Sequence, residues 1–119
     1  MATIIVVDEE EELRDNLQDL LEFNQYTVIP YSTGEELLAN LDSLSMDVVL
    51  LDYQLPGVSG IELIPSLKGK NPEIPIAIVT ASSSPDTRSK ALENGANCVI
   101  LKPYEPADIL QAVKAMLSI

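Results

Sequence analysis

Acidic, hydroxyl and basic side chains come directly after short aliphatic runs in this sequence. Asp8 and Glu9 follow TIIVV, Asp52 follows DVVLL, Thr80 follows IPIAIV and Lys102 follows NCVIL. An aspartate that ends an apolar run carries a desolvation cost, which a functional role would explain. Clustered carboxylates repel one another unless a cation intervenes, and Mg²⁺ prefers such oxygen ligands. A carboxylate beside the ion could attack a phosphoryl group, with the ammonium and hydroxyl groups neutralising its oxygens.

The elements that position these residues alternate along the chain. Aliphatic runs of strand length are separated by segments whose apolar residues recur at helical spacing, which predicts an α/β fold with a doubly wound parallel sheet. The predicted strands are 3–7, 26–30, 47–51, 74–79 and 97–101. Ligands of such sheets bind beyond the carboxyl ends of the strands. We therefore expect the polar residues to meet at one edge.

Five helices are predicted between and after the strands. The first runs from about Glu10 to Phe23, and the second starts at a capping box formed by Thr33 and Glu36. The third begins near Gly60 and includes Pro65, which should lie close to the first turn or kink the helix. The fourth starts at Ser84-Pro85 and stops near Gly95, and the fifth follows Pro106 with Ile109, Leu110, Val113, Met116 and Leu117 facing the core.

Length and charge limit the function classes. The 119 residues fit one domain, 1–119, and the aliphatic runs are too short to span a bilayer. A formal charge of −12 disfavours binding to nucleic acids and anionic membranes. The N-terminus lacks the features of a secretory signal, and the single cysteine, Cys98, cannot form an internal disulfide, so we expect a cytoplasmic protein.

Four motifs carry a family resemblance. They are VVDEE (6–10), LLDYQLPGVSG (50–60), IVTASSS (78–84) and LKPYEP (101–106). In this order and approximate spacing, they resemble the receiver domain of bacterial two-component response regulators over essentially the whole chain. The resemblance implies a flavodoxin-like sheet of strand order 2-1-3-4-5 with five helices on its two faces.

The resemblance also implies a role for each matching residue. Asp52 corresponds to the aspartate that accepts a phosphoryl group from a histidine kinase or a histidine phosphotransfer protein. Thr80 and Lys102 correspond to the hydroxyl and lysine that contact the phosphoryl group, and Pro103 to a proline preceded by a cis peptide bond. The domain would be a signalling switch and not an enzyme, catalysing at most its own phosphorylation and dephosphorylation.

Magnesium is the cofactor that the resemblance implies. Asp8 and Glu9 correspond to the acidic pair that binds Mg²⁺ together with Asp52, and the backbone carbonyl of Gln54 would complete the protein ligands. A downstream protein or output domain would bind the face formed by helix 4, strand 5 and helix 5.

Two positions depart from the family pattern. Glu9 stands where aspartate is also common, and its longer side chain would reach the ion directly or through water. Val99 stands where the family usually has a tyrosine or phenylalanine that turns inward on phosphorylation. Transmission of the phosphorylation signal would then either be carried by movement of a loop and helix 4 or be weaker than usual.

Other functions are less well matched. A receiver-like interaction module independent of phosphorylation is the main alternative, which Val99 favours and the complete set of site residues disfavours. A phosphatase with an aspartyl intermediate usually has a second aspartate two positions after the first, where this chain has Gln54. A flavin site would need a phosphate-binding loop after the first strand, and none follows Val7.

Overall fold

Residues 1–119 are described by a computed structural model. Five strands and five α-helices alternate along the chain. The strands are β1 (Thr3–Val7), β2 (Thr27–Tyr31), β3 (Val48–Asp52), β4 (Ile76–Thr80) and β5 (Cys98–Leu101). The helices are α1 (Glu11–Phe23), α2 (Gly34–Asn40), α3 (Gly60–Lys70), α4 (Pro85–Glu93) and α5 (Pro106–Leu117), and a 3₁₀ turn, Leu41–Ser43, follows α2.

The strands form one parallel sheet in the order β2-β1-β3-β4-β5, which confirms the predicted flavodoxin-like fold. β3 and β4 are buried along their whole length because helices cover both faces of the sheet. Chain order reverses between β1 and β3, which is where ligands bind in such sheets. β3 and β4 each end one residue later than predicted. Asp52 and Thr80 are therefore the last residues of these strands and do not follow them.

Two apolar layers hold the helices against the sheet. On one face, buried residues of α1 and α5 pack against β1, β3 and β4, including Leu17, Leu21, Ile109, Val113 and Met116. On the other face, residues of α2, α3 and α4 form the second layer, including Leu37, Leu63, Ile64, Leu67 and Ala91. The predicted inward position of Leu117 is wrong, since this residue is 36% exposed.

Local signals set most helix starts. Thr33 and Glu36 form the predicted capping box of α2, and Ser84 caps α4 with Pro85 in its first turn. Pro65 lies inside α3, beyond the first turn, and the predicted alternative, a kink in the helix, stays a prediction. The helix continues through Pro65 to Lys70, and three buried apolar side chains, Leu63, Ile64 and Leu67, anchor α3 to the core.

The loop that joins β3 to α3 requires glycine at two positions. Gly57 has a φ of 72°, in the left-handed region that other residues adopt at a cost. Gly60 begins α3 directly against the strand end, where a Cβ atom would overlap the carbonyl oxygen of Asp52. The glycines therefore let the helix start immediately beside the strand that carries Asp52.

Candidate functional site

Asp8 is a buried carboxylate at the carboxyl end of β1. The residue is almost inaccessible, at 2% exposure. Its backbone N–H donates to the carbonyl of Tyr31 at 3.1 Å, and its Oδ1 accepts the N–H of Glu10 at 2.9 Å. These bonds fix the turn from β1 into α1, so that Oδ2 remains free to face the neighbouring strand ends.

Asp52 is the second buried carboxylate, at 7% exposure. Its Oδ1 accepts the backbone N–H of Gln54 at 3.3 Å, and the following residue, Tyr53, donates its N–H to the carbonyl of Val79 at 2.8 Å. The loop backbone therefore orients one carboxylate oxygen and leaves the other for a charged partner.

Lys102 brings the two carboxylates together. Its backbone N–H donates to the carbonyl of Thr80 at 2.8 Å, which holds the end of β5 against β4. Its Nζ donates to Oδ2 of Asp52 at 2.9 Å and to Oδ2 of Asp8 at 3.3 Å. Oε1 of Glu10 lies 3.8 Å from the same nitrogen. One ammonium group thus faces three carboxylates, two of them buried.

Thr80 completes the set on β4. The residue is buried, at 3% exposure, and its Oγ1 accepts the backbone N–H of Ser82 at 3.0 Å. The oxygen is therefore engaged as an acceptor, and its proton is available to a group above the strand ends. The Lys102–Pro103 peptide bond is cis, as predicted.

The electrostatics of the site follow from burial and charge. Burial raises the pKa of Asp52, the hydrogen bond from Lys102 opposes this, and the charge of Asp8 raises it further, so that the pKa ends above its ordinary value. Burial alone would lower the pKa of Lys102, but its bonds to Asp52 and the charge of Asp8 outweigh burial and raise it. The site holds more negative charge than one lysine balances, which favours a further cation.

The donor set fits Mg²⁺ in part. Asp8 and Asp52 supply buried carboxylate oxygens directed at one point, and Mg²⁺ commonly takes only one or two carboxylates with water and phosphate oxygens. No three acidic, cysteine or histidine side chains meet closely enough to form a metal cage. Glu9 is exposed, so its role as a ligand stays a prediction, as does that of the Gln54 carbonyl.

Sequence reasoning missed three features of the site. The sequence predicts Glu10 only as the start of the first helix, yet its carboxylate lies 3.8 Å from the Lys102 ammonium. Tyr104 has a buried hydroxyl with no hydrogen-bond partner, a property of packing that no motif signals. The side chains of Ser82 and Thr87 are hydrogen-bonded to each other at 3.0 Å, and their five-residue spacing across a loop gave no sign of it.

Comparison of the sequence and the fold with known proteins identifies the family to which the chain belongs. Residues 4–114 match the sequence profile of the response regulator receiver domain. The chain belongs to the response regulator receiver family. Receiver domains of this family are signalling modules of two-component systems, generally not enzymes, and the family uses Mg²⁺ for phosphorylation.

Individual relatives are similar over nearly the whole receiver domain. Sensory transduction protein RegX3 of Mycobacterium tuberculosis is 32% identical over 117 residues, which are 98% of this chain and 51% of the relative. Phosphate regulon transcriptional regulatory protein PhoB of Pseudomonas aeruginosa is 35% identical over 117 residues, 97% of this chain and 51% of the relative. The chain thus spans about half the length of these relatives. The BeF₃-activated DrrB receiver domain superposes with a TM-score of 0.92 at 31% identity, covering 100% of this chain and 99% of that one.

Away from the strand-end cluster of Asp8, Asp52 and Lys102, this receiver domain has an apolar groove along β5 and α5. The groove has a volume of about 790 Å³, and Val99, Leu101 and Met116 contribute to its wall together with Arg88 of α4. Val99 is half-buried and also packs against the core layer under α4. Burial raises the pKa of the Cys98 thiol, which disfavours its reactive thiolate form. No helix in the structure is both long and apolar enough to cross a bilayer.

Proposed function

We propose that residues 1–119 act as one receiver domain in which Asp52 accepts a phosphoryl group. The observation that carries this proposal is the convergence of Asp8 and Asp52 on the Lys102 ammonium, with distances of 3.3 and 2.9 Å. A buried carboxylate that is oriented by backbone and beside a cationic donor is arranged for attack on a phosphoryl group. An ordinary ion pair on the protein surface would not require its carboxylates to be buried.

The transfer proceeds by in-line displacement. An oxygen of Asp52 forms a bond to phosphorus while the bond from phosphorus to the donor's histidine nitrogen breaks, and that nitrogen keeps the electron pair. Lys102 then exchanges its contact with the carboxylate for one with a phosphoryl oxygen. The Thr80 hydroxyl donates its proton in a hydrogen bond to a second oxygen. Both groups neutralise charge that the carboxylates would otherwise repel.

Asp8 and Asp52 would hold the magnesium ion, with the Gln54 carbonyl and Glu9 as further candidates. When bound, Mg²⁺ would neutralise phosphoryl oxygens during transfer. The buried pair carries the excess negative charge that makes binding favourable, because Lys102 balances only one of its two charges. Glu9 contributes directly only if its exposed side chain turns inward, and otherwise acts through water.

The partners follow from the family. Response regulators work with histidine kinases and with output domains in general. For this chain we propose a sensor histidine kinase or histidine phosphotransfer protein as donor, in the cytoplasm. A downstream protein or output domain would bind the face formed by α4, β5 and α5, where the apolar groove lies. Phosphorylation shifts a pre-existing equilibrium between an inactive and an active conformation. It therefore changes the affinity for a partner only to the extent that the two conformations differ at this face.

The experiment is intact mass spectrometry after incubation with Mg²⁺ and acetyl phosphate. We expect one added phosphoryl group, dependent on Mg²⁺ and absent from Asp52→Asn. Asp42→Asn is the matched control, because Asp42 is exposed and remote from the strand ends, and it should be modified like the wild type. An unmodified wild type, with acetyl phosphate and with histidine kinases as donors, would instead support a phosphorylation-independent interaction module.

A further inference from the structure

A chain of hydrogen bonds runs from the acceptor site to α4. The backbone N–H of Ser82 donates to Oγ1 of Thr80 at 3.0 Å, and Oγ of Ser82 is bonded to Oγ1 of Thr87 at 3.0 Å. The N–H of Ser84 donates to the same Ser82 oxygen at 3.2 Å, and Oγ of Ser84 caps α4 by accepting the N–H of Asp86. The loop thus joins Thr80 to the first turns of α4 through side-chain oxygens.

α4 has few buried contacts to hold it in place apart from these bonds. Ala91 is its only buried residue, and Leu92 is 39% exposed. By contrast, α3 and α5 bury four and three residues. An element with few buried apolar contacts is low in local stability and moves at small cost. A change at its N-terminal bonds can therefore shift the whole helix.

The usual aromatic ring is not available for transmission. Val99 occupies that position, half-buried beside the core layer that includes Ala91. A valine side chain has no ring to exchange between an inward and an outward position. Another contact between the acceptor site and α4 has to carry the signal if phosphorylation reaches this face.

We propose that the Ser82–Thr87 hydroxyl pair couples phosphorylation at Asp52 to the position of α4. The proposal rests on the proposed function. When Thr80 turns toward the phosphoryl group, its oxygen moves with it, and the Ser82 N–H must follow or lose its acceptor in a partly buried position. Loss of the acceptor of this partly buried N–H is unfavourable, so the loop follows. Because Thr87 is bonded to the Ser82 hydroxyl, α4 is drawn along.

The displaced helix alters the proposed partner face. Arg88 follows Thr87 directly and lies on the wall of the groove with Val99 and Leu101. A shift of the first turns of α4 therefore moves a positive charge beside an apolar surface. A partner that distinguishes the two states would recognise the position of this arginine.

Hydrogen exchange of the peptide that contains α4 tests the coupling. Exchange is compared with and without acetyl phosphate and Mg²⁺ in the wild type, Ser82→Ala, Thr87→Val and the double variant, with occupancy measured by intact mass in each sample. We expect phosphorylation to change the exchange of wild-type α4, and either single substitution to reduce that change by about threefold or more. In the double variant, the phosphorylation-dependent change should be reduced no more than in the more affected single variant, since both substitutions break the same hydrogen bond.

Matched variants separate coupling from general loosening of the helix. Thr87→Ser keeps the hydroxyl and should preserve the phosphorylation-dependent change. Ser89→Ala removes an exposed hydroxyl of α4 that makes no hydrogen bond, and it should also behave like the wild type. A wild-type response in both Ser82→Ala and Thr87→Val, or no response of α4 in the wild type, would overturn the coupling. Absence of the added mass would instead overturn the proposed function before exchange is compared.

Discussion

Gly60 lies so close to Asp52 that a Cβ atom added at Gly60 would overlap the Asp52 carbonyl oxygen. The clash is with backbone, which cannot rotate away, and the glycine opens α3 directly after the loop. We expect Gly60→Ala to lower the free energy of unfolding by about 1–3 kcal/mol, the usual cost of overpacking. Because relief requires the end of β3 to shift, phosphorylation of Asp52 should slow as well. Urea unfolding and the rate of mass gain measure the two effects.

Gly69 provides the matched control in the same helix. A Cβ atom there would meet nothing within 4 Å. Gly69→Ala should therefore raise the free energy of unfolding by about 0.5–1 kcal/mol, because alanine loses less backbone entropy in a helix. Equal effects of the two substitutions would show that helix propensity, and not the contact with Asp52, governs Gly60.

Removal of the Lys102 ammonium should destabilise the domain strongly. Lys102→Met leaves Asp8 and Asp52 facing each other without a counter-charge, and breaking a buried pair costs about 3–5 kcal/mol. The loss should shrink as pH falls from 7 to 4, since protonation of a carboxylate removes the repulsion. Lys90→Met, at an exposed position of α4, should change stability little. Urea unfolding at both pH values decides, and a loss independent of pH would contradict this explanation.

The fold was predictable because its signals are local and repeated. Each aliphatic run coincides with a strand to within two residues, and the Thr33–Glu36 and Ser84–Pro85 signals place the starts of α2 and α4. Pro65 is tolerated inside α3 because burial of the neighbouring leucines and isoleucine outweighs one lost backbone bond. Leu117 lies one heptad after the half-buried Leu110, at the margin of the face of α5 that Ile109, Val113 and Met116 bury, and it is exposed.

The site was predictable only where strand order determines position. Asp8, Asp52, Thr80 and Lys102 meet because the strands are parallel and adjacent. Which residue of the acidic run approaches the lysine depends on the dihedral angles between β1 and α1. Glu10 lies 3.8 Å from the Lys102 ammonium although both Glu9 and Glu10 are exposed. Contacts made by rotamers, such as that between Ser82 and Thr87, leave no periodic pattern to read.

Magnesium should stabilise the folded domain through the buried pair. A ligand present at 100 times its Kd adds about 2.7 kcal/mol to the free energy of unfolding. We expect this gain in the wild type and a markedly smaller one in Asp8→Asn, with NaCl at matched ionic strength as the salt control. Glu11→Gln, an exposed change in the first turn of α1, should retain the gain. Equal stabilisation of all three proteins would indicate general screening of the −12 charge and no specific site.

The same measurement of Mg²⁺-dependent stabilisation decides whether Glu9 binds the ion. If its side chain binds the ion, Glu9→Gln should lose as much Mg²⁺-dependent stabilisation as Asp8→Asn. Its exposure in the structure leads us to expect a loss smaller than that of Asp8→Asn. A loss as large as that of Asp8→Asn would mean that Mg²⁺ draws Glu9 into the site.

Tyr104→Phe should stabilise the domain. The Tyr104 hydroxyl is buried without a hydrogen-bond partner, and burial together with the charge of Asp8 raises its pKa, so that it stays neutral. Removing a buried polar group that lacks a partner recovers its desolvation cost, on the order of 1–3 kcal/mol. Tyr31→Phe is the control. Tyr104 is the one residue with a buried side-chain polar atom that lacks a hydrogen-bond partner, so removal of the Tyr31 hydroxyl recovers no such cost. Thermal unfolding of both variants tests this, and a loss of stability in Tyr104→Phe would mean that the hydroxyl has a partner in solution.

Asp52→Asn should be more stable than the wild type near neutral pH. Burial and the charge of Asp8 raise the pKa of Asp52 in the folded state above its unfolded value. Between these two values the folded protein binds more protons than the unfolded chain, so its stability falls as pH rises through this window. Asparagine removes that fall, and Lys102 keeps its bond to Asp8 at 3.3 Å. The variant should therefore gain roughly 0.5–2 kcal/mol at pH 7.

The pH dependence of this gain separates it from a change in packing. The gain should be smallest at pH 3, where the wild-type carboxyl is protonated, and should grow as pH rises above the unfolded pKa of about 3.9. Urea unfolding of both proteins from pH 3 to pH 7 measures it. A gain that is constant with pH would place its origin in packing of the amide. A variant less stable than the wild type at pH 7 would mean that the bond between Asp52 and Lys102 outweighs burial and the repulsion from Asp8.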